Sequence, residues 1–391
     1  MTAFSRASLP TPDGDSTRLA LSFALPAVIA GGIAWLLFVV LGETPPLRAA
    51  ALALVIVGIS LTLRWLGTSF AISGGLALAF SPAFWSQTGG TESANALLVV
   101  AAVAIAGVAV ILVTVFSRRP LLAAALGIVI FVAMFWTQIA AVRSLRITTL
   151  TTAWLLFLLI NTVRRTNPRP DESLPIQPRR YQSFGLLLLL AIGVINDPLF
   201  TLMAPALLLA LFLGNIVLPR WYWAALVIVT VAGIYGIATT YVGSSWLTLS
   251  AARADELGVV IPRVIADGWR EPSRWIKLFD LVIGQFTVIG VLLGVMGLAR
   301  MARWYPVLGV VLMIAYAAYA VFGLVYFGGD SDVLLLPLLM IQVIWMTYAV
   351  YTLGQWLQHS VKSNRPIVRW LAPAVFTLLP LLMLMRIAGV V

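Results

Sequence analysis

The sequence predicts an all-α integral membrane protein, a bundle of about thirteen transmembrane helices within a range of 11–13. Three observations carry this expectation. Of the 391 residues, 61% are hydrophobic and only 10% are charged. The apolar runs are about 20 residues long, enough to cross a hydrocarbon core roughly 30 Å thick. No polar stretch exceeds about 35 residues, which leaves no room for a sizeable soluble domain. A transmembrane β-barrel would instead show short segments of alternating hydrophobicity.

The chain divides into a polar tail, residues 1–18, and a single polytopic domain, residues 19–391. The tail carries Asp13 and Asp15 and lacks the basic run of a signal peptide. The apolar stretch after it has no small-x-small cleavage site, so it reads as an uncleaved first span. Predicted spans follow at 19–41, 47–63, 68–85, 94–116, 120–142, 148–162, 181–195, 198–218, 222–242, 278–299, 304–327, 333–355 and 370–390. The third ends in "SPAFW", an aromatic anchor at Trp85 followed by a glycine turn and Glu92. The break Asn196-Asp197-Pro198 divides a run too long for one span, and Pro198 suits the first position of a helix. The connector "RRTNPRPDESLPIQPRR" (164–180) holds four prolines and reads as irregular. The longest outer loop, 243–277, carries Trp246, Trp269 and Trp275. Between the first two lies a stretch that fits a helix lying in the interface and anchored by tryptophan.

Charge sets the expected orientation. With the N-terminus in the cytoplasm and the C-terminus outside, 16 of the 25 basic residues fall in cytoplasmic segments. The net charge of +11 is therefore a topology signal, not a sign of a nucleic-acid partner. Glu43, Glu92, Asp197, Asp332 and six further acids fall at the outer face. A bacterial-type inner membrane is the expected location.

Composition also bounds the chemistry. There is no cysteine and one histidine, His359, which excludes disulfides, thiolate sites and bis-histidine haem ligation within this chain. No covalent or metal-bound cofactor is expected, while structural lipids are. No predicted span has a charge near its middle, the usual mark of an ion-coupled transporter, so transport is the third reading.

Each candidate residue has two readings. Glu92 is either a catalytic carboxylate or part of a helix start, with Thr91 and Ser93 beside it as caps. Asp197 and Asp332 are either reactive acids or N-caps. His359 sits in a cytoplasmic loop beside Lys362, and Arg386 lies near enough to the outer end of the last span to snorkel.

Three stretches resemble the protein O-mannosyltransferase-like proteins of the GT-C superfamily. "LALAFSPAFWSQTGGTESANALLV" (76–99) places Ser81, Pro82, Phe84, Trp85, Ser86, Gln87 and Glu92 on that family's pattern. "YFGGDSDVLLLPLLMIQVIWMTYAVYTLG" (326–354) matches at Tyr326, Asp332, Leu336, Pro337 and Trp345. "GQFTVIGVLLGVMGLARMAR" (284–303) is similar to the helix that precedes the last motif. The resemblance implies a GT-C-like bundle and sugar transfer from a polyprenyl phosphate at the outer face. Glu43, Glu92, Asp197 and Asp332 would then be the catalytic candidates. The family's first outer loop, which holds its catalytic acid, is reduced here to "GETPPLR", and its Gly-Asn-His step becomes Ile195-Asn196-Asp197.

These departures favour a non-catalytic accessory subunit of a multi-component membrane complex, such as a respiratory or photosynthetic electron-transfer complex. A GT-C glycosyltransferase is the alternative. The expected partners are membrane lipids and other integral-membrane subunits. The tail cannot bury enough apolar surface to order itself. A neighbour would hold it through Phe4, Arg6, Leu9 and Pro10.

Overall fold

The computed structural model describes residues 15–44, 46–88, 107, 127, 147–168, 180–214, 216, 218–240, 270, 272–325, 331–361 and 366–389. Every regular element among these described residues is helical. We number the helices α1 Asp15–Val40, α2 Pro46–Leu63, α3 Thr68–Ala79, α4 Pro82–Trp85, α5 Ile147–Thr166, α6 Arg180–Asn196 and α7 Ala204–Leu213. After these come α8 Arg220–Thr240, α9 Pro272–Trp304, α10 Pro306–Val325, α11 Ser331–Leu334, α12 Leu336–Val361 and α13 Pro366–Ile387. A single 3₁₀ turn occupies Arg64–Leu66, and a two-turn 3₁₀ segment occupies Pro198–Met203. Apart from Gly107 and Gly127, the predicted spans at 94–116 and 120–142 lie outside the described residues, as do the tail residues Phe4, Arg6, Leu9 and Pro10, and Glu92, Trp246 and Trp269.

Proline starts many of these elements. Pro46, Pro82, Pro198, Pro272, Pro306 and Pro366 each stand at the first position. Proline lacks the N–H that a first turn leaves without a partner, and its fixed φ matches the helix.

Six described helices are long and apolar enough to cross a membrane. The chain is therefore an α-helical membrane protein, but six is short of the thirteen spans expected. Part of the difference is length. Ser81-Pro82 stops α3 after 12 residues, and the 3₁₀ turn Pro198–Met203 leaves α7 with only 10. Residues before proline favour extended backbone, and Ser81 takes φ −67°, ψ 137°. The tenth span differs as well. α9 begins at Pro272, so Trp275 sits on a helix and not in a loop, and the helix breaks at Thr287.

Helix α12 is the centre of the bundle. Every residue from Leu336 to Val350 is buried, against α2, α3, α5, α9, α10 and α13. The closest approach is to α9. A Cβ at Gly297 would lie 1.9 Å from the Trp345 carbonyl oxygen, and one at Gly294 would lie 2.0 Å from the Gln342 amide nitrogen. Small residues permit backbones to meet this closely, and close van der Waals contact is what holds helices together in lipid. The Gln342 amide also donates to the Gly290 carbonyl at 3.0 Å. By contrast α8 is largely exposed, with Val227, Ile228, Val231 and Ile234 all facing outward. In water such a face would be untenable; against lipid it carries no penalty.

Candidate functional site

Three of the four predicted acids are described, and all three lie at one end of the bundle. Glu43 follows the C-terminus of α1 in the left-handed region, at φ 46°. The amides of Gly42 and Thr44 close this turn onto the carbonyls of Leu37 and Phe38, at 3.2 and 3.1 Å. The Glu43 side chain is exposed. The turn lies beside the end of the "SPAFWSQT" segment: a Cβ at Gly42 would come within 2.9 Å of the Thr88 side chain.

That segment is fixed by its aromatic residues. Phe84 is buried and meets Phe38 at 6.0 Å between ring centroids. Trp85 is half-buried, packed on Phe38 at 5.6 Å and Phe80 at 6.1 Å. The predicted interfacial anchor thus also ties α1 to α4. The Ala83 amide, which would otherwise have no partner in the first turn of α4, donates to Gln285 Oε1 of α9 at 2.7 Å.

Asp197 caps the 3₁₀ turn that follows it, its carboxylate accepting from the Leu199 amide at 3.0 Å. It also lines a small pocket with Thr148, Thr149, Tyr319, Val333 and Leu334. Val333 and Leu334 directly follow Asp332, which is exposed in the one-turn helix α11. Helix α11 in turn packs against α4. The geometry therefore places Glu43, the "SPAFWSQT" turn, Asp332 and Asp197 at the same end of the bundle. Next to Asp197, Asn196 Oδ1 is buried and has no hydrogen-bond partner among the described residues.

Sequence reasoning singled out the acids here but not Thr148, Thr149, Tyr319 or Gln285. The only local signal was the threonine-rich "TTLTT" at 148–152 within an otherwise apolar run. Thr151 and Thr152 return their hydroxyls to the Thr148 carbonyl, at 3.1 and 2.6 Å. Among the described residues no group of three potential metal ligands comes together. Arg386 reaches the Gly284 carbonyl at 3.4 Å from the last helix.

Taken together, fold and site define a polytopic α-helical membrane protein with three of the predicted acids at one end. No family model matches the chain, and no curated protein or solved structure matches it.

Proposed function

We propose that this chain is a non-catalytic accessory subunit that packs among other integral-membrane proteins of one assembly, in a bacterial-type inner membrane. In this reading the N-terminus is cytoplasmic and the C-terminus lies outside. An electron-transfer complex is one such assembly. The observation that carries the reading is the use of Asp197. It is the predicted acid that lines a pocket, and its carboxylate holds a backbone amide, a structural task. The solid packing around α12 supports the same view, since buried glycine-to-backbone contacts suit a rigid scaffold.

The gathering of Glu43, Asp197 and Asp332 at one end favours a second reading, a GT-C-like glycosyltransferase that uses a polyprenyl-phosphate sugar. Carboxylates at such a surface can deprotonate an acceptor hydroxyl or hold a divalent cation against phosphate.

Gentle solubilisation followed by a native gel separates the two. The subunit reading expects migration well above a monomer, with the same proteins co-purifying each time. It also expects Glu43→Ala and Asp332→Ala to leave membrane glycans and glycolipids unchanged. A lone species that transfers sugar from a polyprenyl phosphate, and loses that activity in either variant, would establish the enzyme instead.

A further inference from the structure

The opposite end of the bundle holds a cluster separate from Glu43, Asp197 and Asp332. Trp65 lies in the 3₁₀ turn Arg64–Leu66, half-buried. The Arg164 guanidinium sits over its ring, 4.0 Å from the centroid. Tyr305 meets the same ring edge-on at 5.6 Å, and Tyr348 packs on it at 5.6 Å. Arg164 is also 5.8 Å from the Tyr305 centroid. Segments that are far apart in sequence thus hold one guanidinium against aromatic carbon.

The hydrogen bonding of this cluster is one-sided. Arg64 Nε, Arg164 Nε and the Trp65 indole nitrogen are all buried and, among the described residues, have no hydrogen-bond partner. Each of these groups is a donor only. The usual local explanation, that Arg164 caps the end of α5, does not apply. Thr166 Oγ1 donates to the carbonyls of Thr162 and Val163 at 3.1 and 3.2 Å, and the Asn167 amide donates to Val163 at 2.9 Å. The Trp65 ring offers the guanidinium π-density but no acceptor for its N–H groups. Buried donors with no acceptor are costly, the more so beside a fixed positive charge.

We propose that Arg64, Trp65 and Arg164 form a binding site for a phosphate group, supplied by the headgroup of an anionic lipid. An anionic phosphate supplies several acceptor oxygens and negative charge, matching an arginine fork and an indole N–H. Basic pockets between transmembrane helices take lipid phosphates in the same way, and the acyl chains would lie along the exposed apolar faces of the bundle. Free phosphate offers the same chemistry, so the test separates the two sources.

The full chain, purified in neutral detergent and stripped of lipid, is titrated with mixed micelles containing phosphatidylglycerol, with phosphatidylcholine, and with inorganic phosphate. Binding is followed by thermal stability and by native mass spectrometry. Phosphatidylglycerol is expected to bind and to raise the melting temperature, with phosphatidylcholine at equal mole fraction far weaker. Arg164→Gln and Arg64→Gln should each weaken binding about tenfold or more. Arg165→Gln, which alters an exposed neighbouring charge, should leave it unchanged. Trp65→Phe keeps the ring and removes the N–H, so it tests the site even if the arginine variants fold poorly; a several-fold loss is expected. Saturable binding of inorganic phosphate, lost in the same variants, would identify the same site with a free anion as its source. Equal binding of both lipids, or loss in Arg165→Gln as large as in Arg164→Gln, would overturn the site. So would Arg64→Gln and Trp65→Phe variants that bind as the parent does.

Discussion

Gln285 of α9 accepts the backbone amide of Ala83 at 2.7 Å, across 202 positions of sequence. The bond secures the Pro82–Trp85 turn to the neighbouring helix at the point where α3 has ended. Replacing Gln285 with Leu keeps the volume but leaves the Ala83 amide buried without an acceptor, at a cost of about 1–3 kcal/mol. Thermal melting in detergent should register this as a clear loss. A Gln285→Leu protein as stable as the parent would mean that water or lipid serves the amide equally well.

Thr287, two residues further along α9, takes φ 64°, ψ 171°, a region that is essentially reserved for glycine. Its side chain is exposed, so its removal opens no cavity. Thr287→Gly is therefore expected to stabilise the protein by about 1–3 kcal/mol, although glycine within a helix ordinarily destabilises. A lowered melting temperature would show that this backbone is not strained.

The glycines of α9 should rank by what their Cβ would meet. Gly297→Ala faces the Trp345 backbone and cannot be accommodated without moving two helices apart. Gly294→Ala faces the Gln342 side chain, which can turn aside if it gives up its bond to Gly290. Gly284→Ala meets nothing within 4 Å. We expect a loss of about 1–3 kcal/mol or more at Gly297, a smaller one at Gly294, and little change at Gly284. Equal effects at all three would remove close helix packing as the cause.

Asp197 separates capping from chemistry. Asn at this position retains the cap, whereas Ala loses about 0.5–2 kcal/mol. Under the subunit reading Asp197→Asn behaves as the parent in both stability and complex retention. A functional loss in Asp197→Asn at normal stability would point to the carboxylate itself and to the glycosyltransferase alternative.

Topology can be read directly, because the chain has no cysteine. Glu43→Cys and Asp332→Cys introduce thiols at exposed positions of the acidic end. Arg165→Cys and His359→Cys do so at exposed positions of the arginine-rich end. An impermeant maleimide applied to intact cells should label the first pair and spare the second. Labelling of one member from each pair would break the proposed orientation.

The backbone punctuation of this protein is local, and so it was legible. Long apolar runs marked the helices, and Pro198 marked a start, because proline acts through its own ring and its missing N–H. The acids at turns were legible for the same reason; Asp197 before Pro198 announced a cap, and a cap is what it forms. Burial was not legible. Helices α8 and α12 both read as apolar spans, yet α8 faces outward and α12 is enclosed on every side from Leu336 to Val350. In water hydrophobicity distinguishes core from surface, but in lipid both surroundings are apolar and the distinction vanishes. Tertiary structure alone therefore decided which glycines touch a backbone and that Gln285 would serve Ala83. It alone decided that Arg164 would lie over Trp65, because each of these contacts depends on how helices distant in sequence are rotated and packed against one another.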